Sequence, residues 1–167
     1  MIYFATFYQV RFMNEYILPL SICSGEPSWF HDGKDRSYTF TDKRNVVNGL
    51  VATPLCLSSQ TAAKITDMGG MCSKECQQDK NHCLFKSLYY YELSKKDINE
   101  ILRYLEDIKK SYQRTKKINK NVDIALLVYE QPDNVCSERE VVKRYLNEHG
   151  IETREYSQDL VDKEILF

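Results

Sequence analysis

The run Ile124-Ala-Leu-Leu-Val-Tyr-Glu130 constrains this chain more than any other segment. It is apolar without alternation, which is the pattern of a strand covered on both faces, as in parallel sheets. Gln131-Pro-Asp-Asn-Val-Cys136 turns the chain. Ser137-Glu-Arg-Glu140 then has the spacing of a capping box and predicts a helix starting at Ser137, with Val141, Val142, Tyr145 and Leu146 on its buried face. Gly150 supplies a C-terminal stop, and Ile151-Glu-Thr-Arg-Glu-Tyr156 alternates as a further strand. Strand, helix and strand in that order imply a right-handed parallel crossover.

Other segments supply the rest of such a sheet. Ile2 to Tyr8 is rich in β-branched and aromatic residues and reads as a first strand. Ile17-Leu-Pro-Leu-Ser-Ile-Cys23 reads as a second, with Pro19 at an edge or in the first residues of the strand. Ser94 with Asp97 marks a helix start, followed by Ile98, Ile101, Leu102, Leu105, Ile108 and Tyr112 at helical spacing. The chain of 167 residues is one domain on length, and at that size roughly 70% of the unfolded surface can be buried. The expectation is a single Rossmann-like α/β domain over residues 1–167, with a mostly parallel sheet and flanking helices. Its strands are expected at 2–8, 17–23, 124–130 and 151–156. A long cysteine-rich irregular segment, inserted at about 24–90, would lie over the sheet edge or the C-terminal rim of the strands. Within it, Tyr89-Tyr-Tyr91 reads as a packing segment with one exposed ring.

Charge excludes several functions. Twenty-three basic residues against 24 acidic leave a net charge of −1, so no global field draws the chain to nucleic acid or to an anionic membrane. The basic stretch 109–120, with Tyr112 and Gln113, could touch nucleic acid, but with the net charge near zero it reads better as a solvated helix end that suits the helix dipole. No apolar run approaches the ~20 residues of a membrane span. Arg11 and Asn14 interrupt the first apolar stretch, which has no basic leader, so no signal peptide is expected. A cytoplasmic protein follows, and its six cysteines are then thiols or metal ligands rather than disulfides.

Three groups of residues could carry chemistry. In the first, Cys136 stands just ahead of a helix N-terminus, where unsatisfied N–H groups favour a thiolate, and Glu130 stands at the end of a strand, where a general base or a ribose-binding carboxylate belongs. These two are the catalytic candidates, and Arg139, one turn along, could bind phosphate. The same spacing also suits a packing cysteine and a Glu130–Arg139 pair. In the second, Cys72-x₃-Cys76-x₆-Cys83, with Cys56 upstream and His82 beside Cys83, has a tetrahedral metal donor set, the fourth ligand being Cys56 or His82. Zinc there would fold a segment that lacks regular structure. Three reduced thiols in a loop would have the same spacing. In the third, Lys43, Arg44 and Asn48 crowd charged and amide groups that could line a phosphate or nucleoside pocket, as a surface loop also would.

The closing motif, Leu126-Leu-Val-Tyr-Glu130-x₅-Cys136-Ser-x-Arg139, resembles that of domain-of-unknown-function family four-eight-eight, found in bacterial and phage proteins. Leu18-Pro-Leu-Ser-Ile-Cys23 with Pro27 and Trp29, Asp42-Lys-Arg44 with Val47-Asn-Gly49, and the stretch leading to Cys83-Leu-Phe85 are similar to further parts of the family pattern. Ser137 stands where the family has histidine, Glu138 intervenes before Arg139, and Val128 replaces a frequent cysteine. The resemblance implies a Rossmann-like fold and a bacterial or phage setting, and it implies no reaction. The missing histidine favours ligand binding over catalysis. The functional expectation is a small nucleotide- or nucleoside-type ligand at the C-terminal rim of the sheet. The alternative is a zinc-stabilised module that binds protein or nucleic acid. The sequence leaves the oligomeric state open.

Overall fold

The computed structural model describes residues 1–30, 49–69 and 83–157. Four parallel strands among them form one sheet: β1 (Ile2–Thr6), β2 (Ile17–Ser21), β3 (Asp123–Val128) and β4 (Thr153–Glu155), in the spatial order β2-β3-β1-β4. β1 and β3 occupy the middle, paired from Ile2 with Ile124 to Thr6 with Val128. Every residue of β2, and all but the first of β1 and β3, is buried, so both faces of the central strands are covered. That is why these segments read as continuous apolar runs. Pro19 lies inside β2 and pairs with Ala125. The outer side of β2 is lined by the chain at Leu50–Ala52, where the Ser21 N–H donates to the Leu50 carbonyl at 3.0 Å and the Ala52 N–H to the Ser21 carbonyl at 2.9 Å.

The helices are α1 (Ser59–Asp67), α2 (Leu84–Ser94), α3 (Ile98–Lys116) and α4 (Glu138–Glu148). α2 packs on both α1 and α4. The β1–β2 and β3–β4 connections run in opposite directions across the sheet. Right-handed crossovers therefore carry them to opposite faces. The β1–β2 connection is a 3-10 helix, Phe7–Phe12, which buries Phe7 and Val10.

β2, β3 and β4 end short of the expected 23, 130 and 156, and further local details differ from the sequence expectation. β1 stops at Thr6 rather than Tyr8, because Thr6 and Gln9 form a reciprocal capping box: the Thr6 N–H donates to Gln9 Oε1 at 2.9 Å, and the Gln9 N–H to Thr6 Oγ1 at 3.4 Å. α3 is capped by Asp97, whose carboxylate accepts from the Asn99 N–H at 2.8 Å. Ser94 instead closes α2, its hydroxyl donating to the Tyr91 carbonyl. The part of segment 24–90 that is described is also more regular than expected. α1 escapes a periodicity reading because Ile65 is its only buried residue, and its start is tied to α2 by Glu92, which accepts from the Ser58 N–H and the Thr61 hydroxyl. The tyrosine triplet lies in α2, with Tyr89 buried against the Leu55 carbonyl, Tyr90 half-buried and Tyr91 exposed.

Candidate functional site

The sheet order creates one crevice at the strands' C-terminal ends. β1 and β3 are neighbours, yet their connections leave in opposite directions, which is the topological switch point where open α/β sheets bind ligands. A cavity of about 330 Å³ lies there. Thr6, Phe7, Tyr8 and Arg11 reach it from the end of β1, Tyr129 and Gln131 from the end of β3, and Pro27 and Trp29 from the segment after β2.

Its wall is aromatic. Phe7 is buried and forms the centre: the Tyr129 ring lies 4.8 Å from it, Phe30 5.4 Å and Trp29 6.4 Å, the last two edge to face. Tyr8, Tyr129 and Trp29 keep 57%, 52% and 36% of their surface in solvent, well above the rest of the aromatic core. Arg11 lies over the Tyr8 ring, its guanidinium carbon 3.9 Å from the centroid, while its Nε donates to the Tyr8 carbonyl at 3.1 Å. The exposed faces of Tyr129 and Trp29, set at an angle around Phe7, with one cation at the edge, suit a planar ring that bears a polar or anionic group.

The residues expected from the strand–helix junction lie beside this crevice but are mostly turned inward. Ser137 caps α4, its oxygen accepting from the Arg139 N–H at 3.2 Å rather than from Glu140, and its hydroxyl donates to Glu130 Oε2 at 3.1 Å. The Glu130 carboxylate is thus engaged by the cap. Arg139 is only 1% exposed: Nη1 donates to the Glu130 carbonyl at 2.8 Å, and Nε lies 3.1 Å from Glu155 Oε1 on β4. Arg139 therefore braces the ends of β3 and β4 across β1, and it presents no surface to a phosphate. Burial raises the Glu155 carboxyl above its ordinary range, and Arg139 offsets part of that rise. Cys136 is half-buried at the junction, its N–H held by Asn134 Oδ1 at 2.9 Å.

A second polar cluster lies nearby. Burial pushes the Cys23 thiol far up, and the charges of Glu138 and Glu130 add to this, so Cys23 stays a neutral thiol. Burial also raises the Glu138 carboxyl, with Glu130 contributing.

Of the proposed metal ligands, Cys72 and Cys76 lie outside the described residues, as do His82, Lys43, Arg44 and Asn48. Cys56 donates to the Ala52 carbonyl at 3.4 Å, and Cys83 is buried at the start of α2. Among the described residues, no three His, Cys, Asp or Glu side chains gather in a way that could hold a metal. No described helix is long and apolar enough to cross a membrane.

Sequence reasoning reached Glu130, Cys136 and Arg139 but missed Tyr8, Arg11, Trp29 and Tyr129. The Thr6-x-x-Gln9 box was the available signal, since it ends β1 and brings Phe7, Tyr8 and Arg11 to the rim. No family model, curated protein or solved structure matches the chain.

Proposed function

We propose that the protein binds a small nucleoside- or nucleotide-type ligand in the crevice between the C-terminal ends of β1 and β3. The observation that carries this reading is the aromatic wall of Phe7, Trp29 and Tyr129 at the switch point of the sheet. A hollow of about 560 Å³ beside Pro54, Lys96 and Tyr104 is larger, but it lies at the start of α3, away from the strand ends. Another, of about 340 Å³, lies between α2 and α4 and sets Lys86 and Arg144 against Glu140. Among the described residues, each is lined by a single aromatic ring, Tyr104 or Tyr90, rather than by the cluster of rings at the rim. Binding is a better reading than turnover, because Ser137 is buried as a helix cap and occupies the Glu130 carboxylate.

Trp29 is the only tryptophan of the chain and lines the crevice, so its fluorescence reports occupancy directly. Titration with a panel of nucleosides and nucleotides should quench or shift it saturably, and a saturating ligand should raise the melting temperature by several degrees. Tyr129→Ala should weaken binding by roughly tenfold or more, since stacking a base on an aromatic ring contributes about 1–3 kcal/mol. No saturable change with any member of the panel would end this reading.

A further inference from the structure

We infer that Arg11 makes the crevice selective for the phosphorylated form of its ligand, a nucleoside monophosphate rather than the free nucleoside. The inference rests on the reading of the crevice given above and deepens it. Arg11 is the only ionisable side chain among the described residues that line the cavity other than the Tyr8 and Tyr129 phenols. Its guanidinium is already oriented: Nε is spent on the Tyr8 carbonyl, and the plane is stacked over the Tyr8 ring. Neither Nη group makes a hydrogen bond among the described residues, and Arg11 is exposed, so both can donate to a phosphate. Pre-orientation matters because less rotamer freedom is lost when the anion arrives.

Among the described residues, no acid lines the cavity with this cation. Glu26 and Glu130 lie close enough to act on the Tyr129 hydroxyl, but neither lines the cavity, and the Glu130 carboxylate is held by Ser137. Arg139, the described arginine at the neighbouring strand–helix junction, does not compete for the role, since it is buried and paired with the Glu130 carbonyl and Glu155. The placement of the two chemistries then sets the orientation of the ligand. The base stacks against Tyr129 and Trp29, and the phosphate lies toward the 3-10 helix that carries Arg11.

The test compares the common ribonucleosides with their 5′-monophosphates on the full chain, read by Trp29 fluorescence and by calorimetry, for wild type and Arg11→Gln. The wild type should bind the best monophosphate roughly ten- to a hundredfold more tightly than its nucleoside, the range expected of a charge-assisted arginine–phosphate contact. Added salt should shrink that preference. In Arg11→Gln the ratio of monophosphate to nucleoside affinity should fall to within about threefold, with an unchanged circular dichroism spectrum, because Arg11 is exposed. Equal affinity for nucleoside and monophosphate in the wild type would overturn the role of Arg11 and leave the crevice as a nucleoside site. An undiminished preference in Arg11→Gln would also overturn it. If neither form binds, the crevice reading and this inference fail together.

Discussion

Arg139→Met tests the brace between the ends of β3 and β4. Methionine keeps most of the apolar stem, so packing is largely retained and the loss isolates the guanidinium. Removing one partner from a buried ion pair costs about 3–5 kcal/mol. The Glu155 side chain is 35% exposed, and water recovers part of that, which brings this share to about 2 kcal/mol. The Glu130 carbonyl also loses its donor, at about 1 kcal/mol. Among the described residues, Nε and Nη2 are buried without a hydrogen-bond partner, so losing the guanidinium also relieves some desolvation, and the expected destabilisation is about 2 kcal/mol, or roughly 4–8 °C in melting temperature for a chain of this size. It should depend on pH. Burial already raises Glu155, and without Arg139 its folded pKa rises further above the unfolded value. The native state then holds its proton over a wider range, so the variant loses stability as pH rises from about 4 toward 7. Urea denaturation at several pH values, followed by circular dichroism, measures this. Adding Glu155→Gln should restore roughly 1–2 kcal/mol at pH 7, because no uncompensated charge is then buried. A loss under about 1 kcal/mol, or a deficit equal at pH 4 and pH 7, would refute the brace.

Glu138 follows the same sign rule: its folded carboxyl is raised by burial, so its ionisation destabilises the native state as pH rises above the unfolded value of about 4.3. Glu138→Gln should accordingly be more stable than wild type at pH 7 and indistinguishable from it below pH ~4, as urea midpoints would reveal. Native thiol labelling, mapped by peptide mass spectrometry, should modify half-buried Cys136 well before Cys23, whose thiol is buried and held neutral; the reverse order would contradict the placement of Cys23. The left-handed cap at Lys117, with φ of 56°, should be relieved by Lys117→Gly, raising stability by about 1 kcal/mol in thermal melts. For the cysteine set Cys56, Cys72, Cys76 and Cys83, the zinc reading expects one zinc per chain, lost on Cys72→Ser; a metal-free protein by elemental analysis would remove it.

Much of the fold was legible because it is written in local patterns. The central strands are continuous apolar runs, and α3 carries its stripe of Ile101, Leu105 and Tyr112 at helical spacing. α2 was not legible: its consecutive aromatic residues resemble strand composition, and only its seat between α1 and α4 makes it helical. The junction residues Glu130, Ser137 and Arg139 were found, but their direction was not. Spacing places Arg139 one turn into α4, and it cannot say whether the guanidinium faces solvent or crosses beneath the helix to Glu155.

By itself, then, the sequence determined that parallel strands form, where α3 and α4 begin to within a turn, and that a strand end meets a capped helix near residue 137. These follow from side-chain periodicity and cap chemistry, which act over a few residues. Only the tertiary structure decided the order β2-β3-β1-β4, and with it the crevice that joins Tyr8, Arg11, Trp29 and Tyr129. The physical reason is range: strand order is set by how covered faces and crossovers close around a shared core, and that closure brings together residues more than a hundred positions apart, such as Phe7 and Tyr129.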